Sequence, residues 1–274
     1  MTIHKTDKWI KDFIQQRKQD RVTSTSLHQT IICEPLTDYF HFTPKEVIQE
    51  HLWQHGLFSP KISDSDAEKW LKQDYLTKVR VLYHKCRTTW NGPETEIFIL
   101  PSNEEIKELK EWFNSNAGLS FPDKLFIFLN KQASNREIAA LFLHEYSHVC
   151  RLNLFPKDEV EYNLLDAIIL EGIAEWIVRK KVGKEYGNKR IKELSDNSLQ
   201  ALWKKWAAPH LGITRDHPKH DMIMYGGRRP PKNTGYIIGY NIVKRYMKEQ
   251  QCSIRTLLGT PNERIVETCS FLHN

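Results

Sequence analysis

Residues 144–148 read His-Glu-Tyr-Ser-His, and no other stretch of the 274-residue chain restricts its folding as tightly. Just upstream, Ser134-Asn135-Arg136-Glu137 has the serine-to-glutamate spacing of a capping box. Ile138, Leu141, Phe142, Tyr146 and Val149 then recur with helical spacing. The run therefore sits on a helix. At about 3.6 residues per turn, His144 and His148 project from nearly the same face, which lets two imidazoles bind one tetrahedral zinc ion. Glu145 lies beside them, where a carboxylate can take a proton from an attacking water and deliver it to a leaving amine. With twelve histidines in the chain, an accidental match on a surface helix is the bland alternative. Against it stand the apolar character of this helix, the aromatic strand before it and the acidic helix after it.

A zinc site needs a third protein ligand. The class of sites with a third histidine requires glycine at position 151 and histidine at 154, but those positions hold Arg151 and Leu154. The class with a glutamate remains. After the break at Leu154-Phe155-Pro156, Asp158 or its neighbours can start a second helix that runs through Leu164 to Gly183. Glu171 and Glu175 share one face of it. We assign Glu171 to the metal and Glu175 to a hydrogen bond that supports a ligand histidine from behind. Gly172 and Ala174 are small, which predicts a close approach to the helix of the histidines, since mid-helix glycine otherwise costs about 1 kcal/mol.

The surrounding chain is expected to fold as α+β, mainly helical, with a small sheet next to the His-Glu-x-x-His helix. Hydrophobic residues make up 40% and aromatics 11% of the sequence, enough for a packed core. Residues 1–90 read as a mostly helical region: Asp7 caps a helix carrying Trp9, Ile10, Phe13 and Ile14, Thr43-Pro44-Lys45-Glu46 opens another that stops at Gly56, and 64–86 is helical in composition. Residues 91–274 read as the catalytic domain. Its strands are predicted at Thr95–Pro101 and Lys124–Leu129, with a helix over Glu104–Asn114 between them. Beyond Gly183 the signals are helical, at Ser198–Ala207 and Tyr236–Gln250, around a Gly-, Pro- and Arg-rich loop at 212–235.

Five widely spaced cysteines without a Cys-x-x-Cys pair fit reduced thiols rather than a disulfide framework or a thiolate zinc site. The first twenty residues lack the pattern of a secretory signal, and the apolar stretch Leu164–Ile177 is broken by Asp166, Glu171 and Glu175, so a cytoplasmic protein without a membrane span is expected. The net charge of +6 comes from Lys and Arg interleaved with Glu. The clusters Arg179–Lys184 and Arg228–Lys232 therefore read as a helix end and a solvated loop, and no nucleic-acid partner is expected.

His144-Glu145-x-x-His148 followed by Glu171-Gly172-Ile173-Ala174-Glu175-Trp176 resembles the gluzincin peptidases. More closely, the chain resembles the YjaZ-like family, a bacterial domain described as a predicted zinc-dependent protease. Thr6-Asp7-Lys8-Trp9, Trp90-Asn91-Gly92-Pro93, the motif helix through Leu152, Leu164–Glu175 and Gly235–Tyr240 carry this second resemblance over nearly the whole chain. It implies a metalloprotease, a hydrolase with Zn2+ as cofactor and a peptide or protein as substrate. The resemblance to gluzincins further implies a donor that stabilises the oxyanion; among Tyr236, Tyr240, His210, His217 and His220 we choose Tyr236. The strand Phe126–Leu129 is expected to offer an edge to an extended peptide. The alternative to catalysis is a silent zinc-containing binding or regulatory module on the same fold.

Overall fold

The computed structural model describes residues 3–19 and 22–272, with Trp112 described by its backbone. In chain order, helices α1 (Thr6–Gln19), α2 (Ser24–His28), α3 (Lys45–Gln54), α4 (Asp64–Leu71) and α5 (Tyr75–Trp90) precede strand β1 (Glu96–Pro101). Then come α6 (Lys107–Phe113), β2 (Ala117–Ser120), β3 (Lys124–Leu129), α7 (Asn135–Leu154) and α8 (Leu164–Lys181). The rest is helical: α9 (Asp196–Leu202), α10 (Pro218–Tyr225), α11 (Thr234–Gln250), α12 (Ile254–Leu258) and α13 (Asn262–Glu267). The chain is thus mainly helical with one small sheet, an α+β protein. No described helix is long and apolar enough to cross a membrane. By contact density it divides into two compact units, residues 1–87 with 94–145, and residues 88–93 with 146–274.

In the first unit, the sheet has the order β1-β3-β2, with β1 parallel and β2 antiparallel to β3. Every residue of β3 is buried, as is β1 beyond Glu96, and after Lys124 and Glu96 both strands are unbroken apolar runs, as a parallel pair covered on both faces needs. Phe98 and Phe126 stack at 4.9 Å on one face. Two long side chains then fix where β3 hands over to α7. The Trp70 indole N–H donates to the Leu129 carbonyl at 3.1 Å, and the Tyr75 hydroxyl donates to Asn130 O at 2.8 Å while accepting from Ala133 N–H at 2.9 Å. Ser134 and Glu137 close the predicted capping box, at 2.8 and 3.3 Å, so the entry into α7 is set from both sides.

Two helix starts in this unit differ by a residue from the sequence reading. Asp7 lies inside the first turn of α1, and α3 begins at Lys45 with Pro44 as its cap residue, while the Thr43 hydroxyl donates to Phe40 O. His28 is fully buried among Phe13 and Phe58, and its Nδ1 meets the Gln49 amide at 2.8 Å. Burial pushes its imidazole down to about 4.

In the second unit, α8 and α11 meet backbone to backbone. A β-carbon at Gly172 would lie 2.3 Å from the Gly239 carbonyl carbon, and one at Gly239 would lie 2.0 Å from Ile168 O. The close approach that Gly172 permits is therefore with α11, not with the histidine helix as its sequence position suggested. Arg151, buried on α7, donates to the carbonyls of Leu258 and Thr260 and to the Asn262 side chain, tying that helix to the α12–α13 turn.

Gly172→Ala is expected to cost about 3 kcal/mol, because the clashing atoms are backbone and cannot swing away, whereas Gly212→Ala, placed in open space, stays within about 0.5 kcal/mol. Urea unfolding of the two variants separates them. For His28 the folded pKa lies below the unfolded one, so its contribution is fully present above about pH 6.5 and is lost as pH falls toward 4, by roughly 3 kcal/mol. Unfolding midpoints measured across that range should fall more steeply for the wild type than for His28→Gln.

Candidate metal centre

His144 and His148 stand one turn apart on α7 and share a face. His148 is buried and His144 half-buried. Glu145 is 9% exposed and lies against β2: the Ser120 hydroxyl is 2.6 Å from its Oε2 and 3.0 Å from its backbone carbonyl. Gly118, two residues earlier on the same face of β2, leaves the space that the Glu145 side chain fills.

The helix after the Pro156 break starts later than expected. Asp158 does form a capping box, but with Glu161 around a single 3₁₀ turn, Glu159–Glu161. A second box follows, in which Asn163 and Asp166 exchange bonds at 3.0 Å each, and this one opens α8 because the apolar run continues behind it. Seven residues along, Glu171 brings Oε1 to 3.7 Å from His148 Nε2. His144, His148 and Glu171 each offer one ligand atom, and those atoms lie within 4.8 Å of one another. Two imidazole nitrogens and a carboxylate oxygen form a donor set that suits zinc, and with metal–donor distances of about 2.0–2.2 Å the three can close on one ion.

One turn further, Glu175 is buried and accepts the Asn188 N–H at 3.0 and 3.3 Å, with Arg179 Nε at 3.5 Å. Arg179 donates in turn to Asn188 O at 2.8 Å and to Ile191 O, and its guanidinium lies over the Tyr240 ring at 4.8 Å. The bonds described for Glu175 thus anchor the chain that follows α8.

Of the expected oxyanion donors, Tyr236 is the one whose phenol feels the charge of Glu171. Burial, then the Glu171 charge, raise its phenol well above 10, so it stays an O–H donor at neutral pH. Tyr240 instead packs on Ile191 and Ile237 and reaches Glu193 at 3.5 Å. His217 caps α10 by accepting from the Lys219 N–H, His220 pairs with Asp221 at 3.0 Å, and His210 ends a 3₁₀ turn. Tyr225 was not expected. It ends α10, its ring is 6.1 Å from Tyr236, and although the residue is about half exposed, partial burial, then the charge of Glu171, raise its phenol. The expected peptide-pairing strand needs correction. β3 is central and spends both edges on β1 and β2, so the outer edge on that side of the sheet belongs to β2.

Residues 76–267 match the model of a family described as Predicted Zn-dependent protease (DUF2268). The chain belongs to this family. It is also 34% identical over 218 residues to YjaZ of Bacillus subtilis (strain 168), an uncharacterized protein, across 79% of this chain and 84% of that one. No solved structure matches the chain. The family's matched range contains His144, Glu145, His148, Glu171 and Tyr236, as well as β2.

Glu175→Ala leaves Arg179 buried without its carboxylate and is expected to cost about 3 kcal/mol, whereas Glu175→Gln, which keeps an acceptor for the Asn188 N–H, costs less. Denaturant unfolding of both variants gives the comparison.

Proposed function

We propose that the chain is a gluzincin-type zinc metallopeptidase in which His144, His148 and Glu171 hold the metal. The observation that carries this reading is the convergence of those three donors within 4.8 Å. When bound, zinc supplies Lewis-acid polarisation of the scissile carbonyl and lowers the pKa of a water to about 7. Glu145 takes the proton of the attacking water and returns it to the leaving amine, so one carboxylate serves as base and then as acid. Its place next to His144 and His148 supports that role. Tyr236 donates to the carbonyl oxygen as negative charge develops there. Its phenol, unlike that of Tyr240, lies within reach of the Glu171 charge, which supports the assignment over Tyr240. Glu175 holds α8 one turn beyond Glu171 and fixes that ligand indirectly.

The substrate is a peptide in extended form, paired along the outer edge of β2. Gly118 and Ser120 on that strand lie against Glu145, which supports placing the scissile bond beside them.

The wild type is expected to cleave unfolded casein or fluorogenic peptides, to lose that activity to a zinc chelator and to regain it with added zinc. Glu145→Gln should keep zinc and lose at least about 100-fold in rate. Tyr236→Phe should lose roughly 100-fold in kcat with KM little changed. Normal turnover by Glu145→Gln would remove the proposed base.

A further inference from the structure

We infer that Ser120 and Gly118 are positioning residues that set where the Glu145 carboxylate stands, a role that rests on the reading of Glu145 as proton acceptor. Ser120 meets Glu145 at two points. Its hydroxyl is 2.6 Å from Oε2 and 3.0 Å from the backbone carbonyl of the same residue. A hydroxyl has one proton, and the shorter, charge-assisted contact goes to the carboxylate. Because one oxygen touches both ends of Glu145, the torsions between its backbone and its carboxylate are tied to a fixed strand.

Gly118 contributes by what it lacks. Alternation along β2 puts 118 and 120 on one face, toward α7. A β-carbon at 118 would lie 2.4 Å from Glu145 Cγ, 2.5 Å from Cδ and 2.6 Å from Oε1. Its backbone is not in the left-handed region, so the glycine serves no turn. Glycine inside a strand weakens it and marks a place where another group approaches closely; here that group is the Glu145 side chain. Ser120 attracts the carboxylate and Gly118 makes room for it, so the two act through different physics on one rotamer. A serine that merely stabilised the fold would bond some part of α7, but would not need a bare backbone two residues away beneath the same carboxylate.

Acetohydroxamic acid probes this without a known substrate. It presents two oxygens to a metal and gives its hydroxyl proton to a neighbouring carboxylate, so its affinity reports whether that carboxylate is in reach. Titration calorimetry on the zinc-loaded full chain is expected to show Ser120→Ala and Gly118→Ala each about ten-fold weaker than wild type, with Ser120→Thr, which keeps the hydroxyl, within about two-fold. Zinc content should stay near the wild-type value in both variants and the unfolding midpoint near it in Ser120→Ala, whereas Gly118→Ala, whose methyl meets Glu145 from Cγ outward, lowers the midpoint while keeping its zinc. If Glu145→Gln weakens binding but Ser120→Ala and Gly118→Ala do not, the positioning role is overturned and the reading of Glu145 stands. If Glu145→Gln binds like wild type, or the wild type takes up no zinc, the reading of Glu145 falls and the positioning role falls with it.

Discussion

The polar arrangement of the second unit depends on two helices meeting with no side chains between them. At Gly172 and Gly239 the backbones of α8 and α11 touch, and a single methyl group on either would force them apart. That contact has a direct chemical consequence because Glu171 precedes Gly172 and Tyr236 lies one turn before Gly239. It brings the Tyr236 phenol to where the charge of Glu171 acts on it. The stripe continues along α8 through Glu175 and Arg179, whose bonds to Asn188 and Ile191 hold the following chain against the same helix. Apolar packing alone would give two helices in contact. The glycines set their distance, and the distance sets which polar groups meet.

Much of this was readable from sequence where a local rule and a long pattern agreed. The α7 capping box stands before twenty residues of helical periodicity, and β1 and β3 are aromatic, branched runs between turn residues. The pairing of Glu171 with the two histidines followed from helical spacing and the need for a third ligand. What escaped the reading was set by tertiary context or by competing local signals. Two capping boxes occur in succession before α8, and only the second is followed by apolar residues without interruption. Strand β2 has four half-buried residues, one of them glycine, and so lacks the signature that gave away β3; the Phe121-Pro122-Asp123 turn was the clue available. Helix α10 begins with proline at its first position, a legible start hidden among the glycines, prolines and arginines that mark the region as loop. That β3 is the central strand is a matter of pairing order, which five apolar residues in a row, Leu125–Leu129, suggest and cannot specify.

In the proposed reading, a strand of the sheet serves chemistry on α7 without offering a reactive group. β2 is short, and its Gly118 is a poor choice for strand stability, yet that residue and Ser120 are the ones against Glu145. Family membership covers residues 76–267, which include β2, α7, α8 and α11 together.

The central claim is that His144, His148 and Glu171 hold one zinc ion, and elemental analysis of the purified chain beside His148→Ala and Glu171→Ala tests it most directly. The account predicts close to one zinc per wild-type chain and its loss from both variants. Zinc absent from the wild type, or retained in full without Glu171, would contradict it.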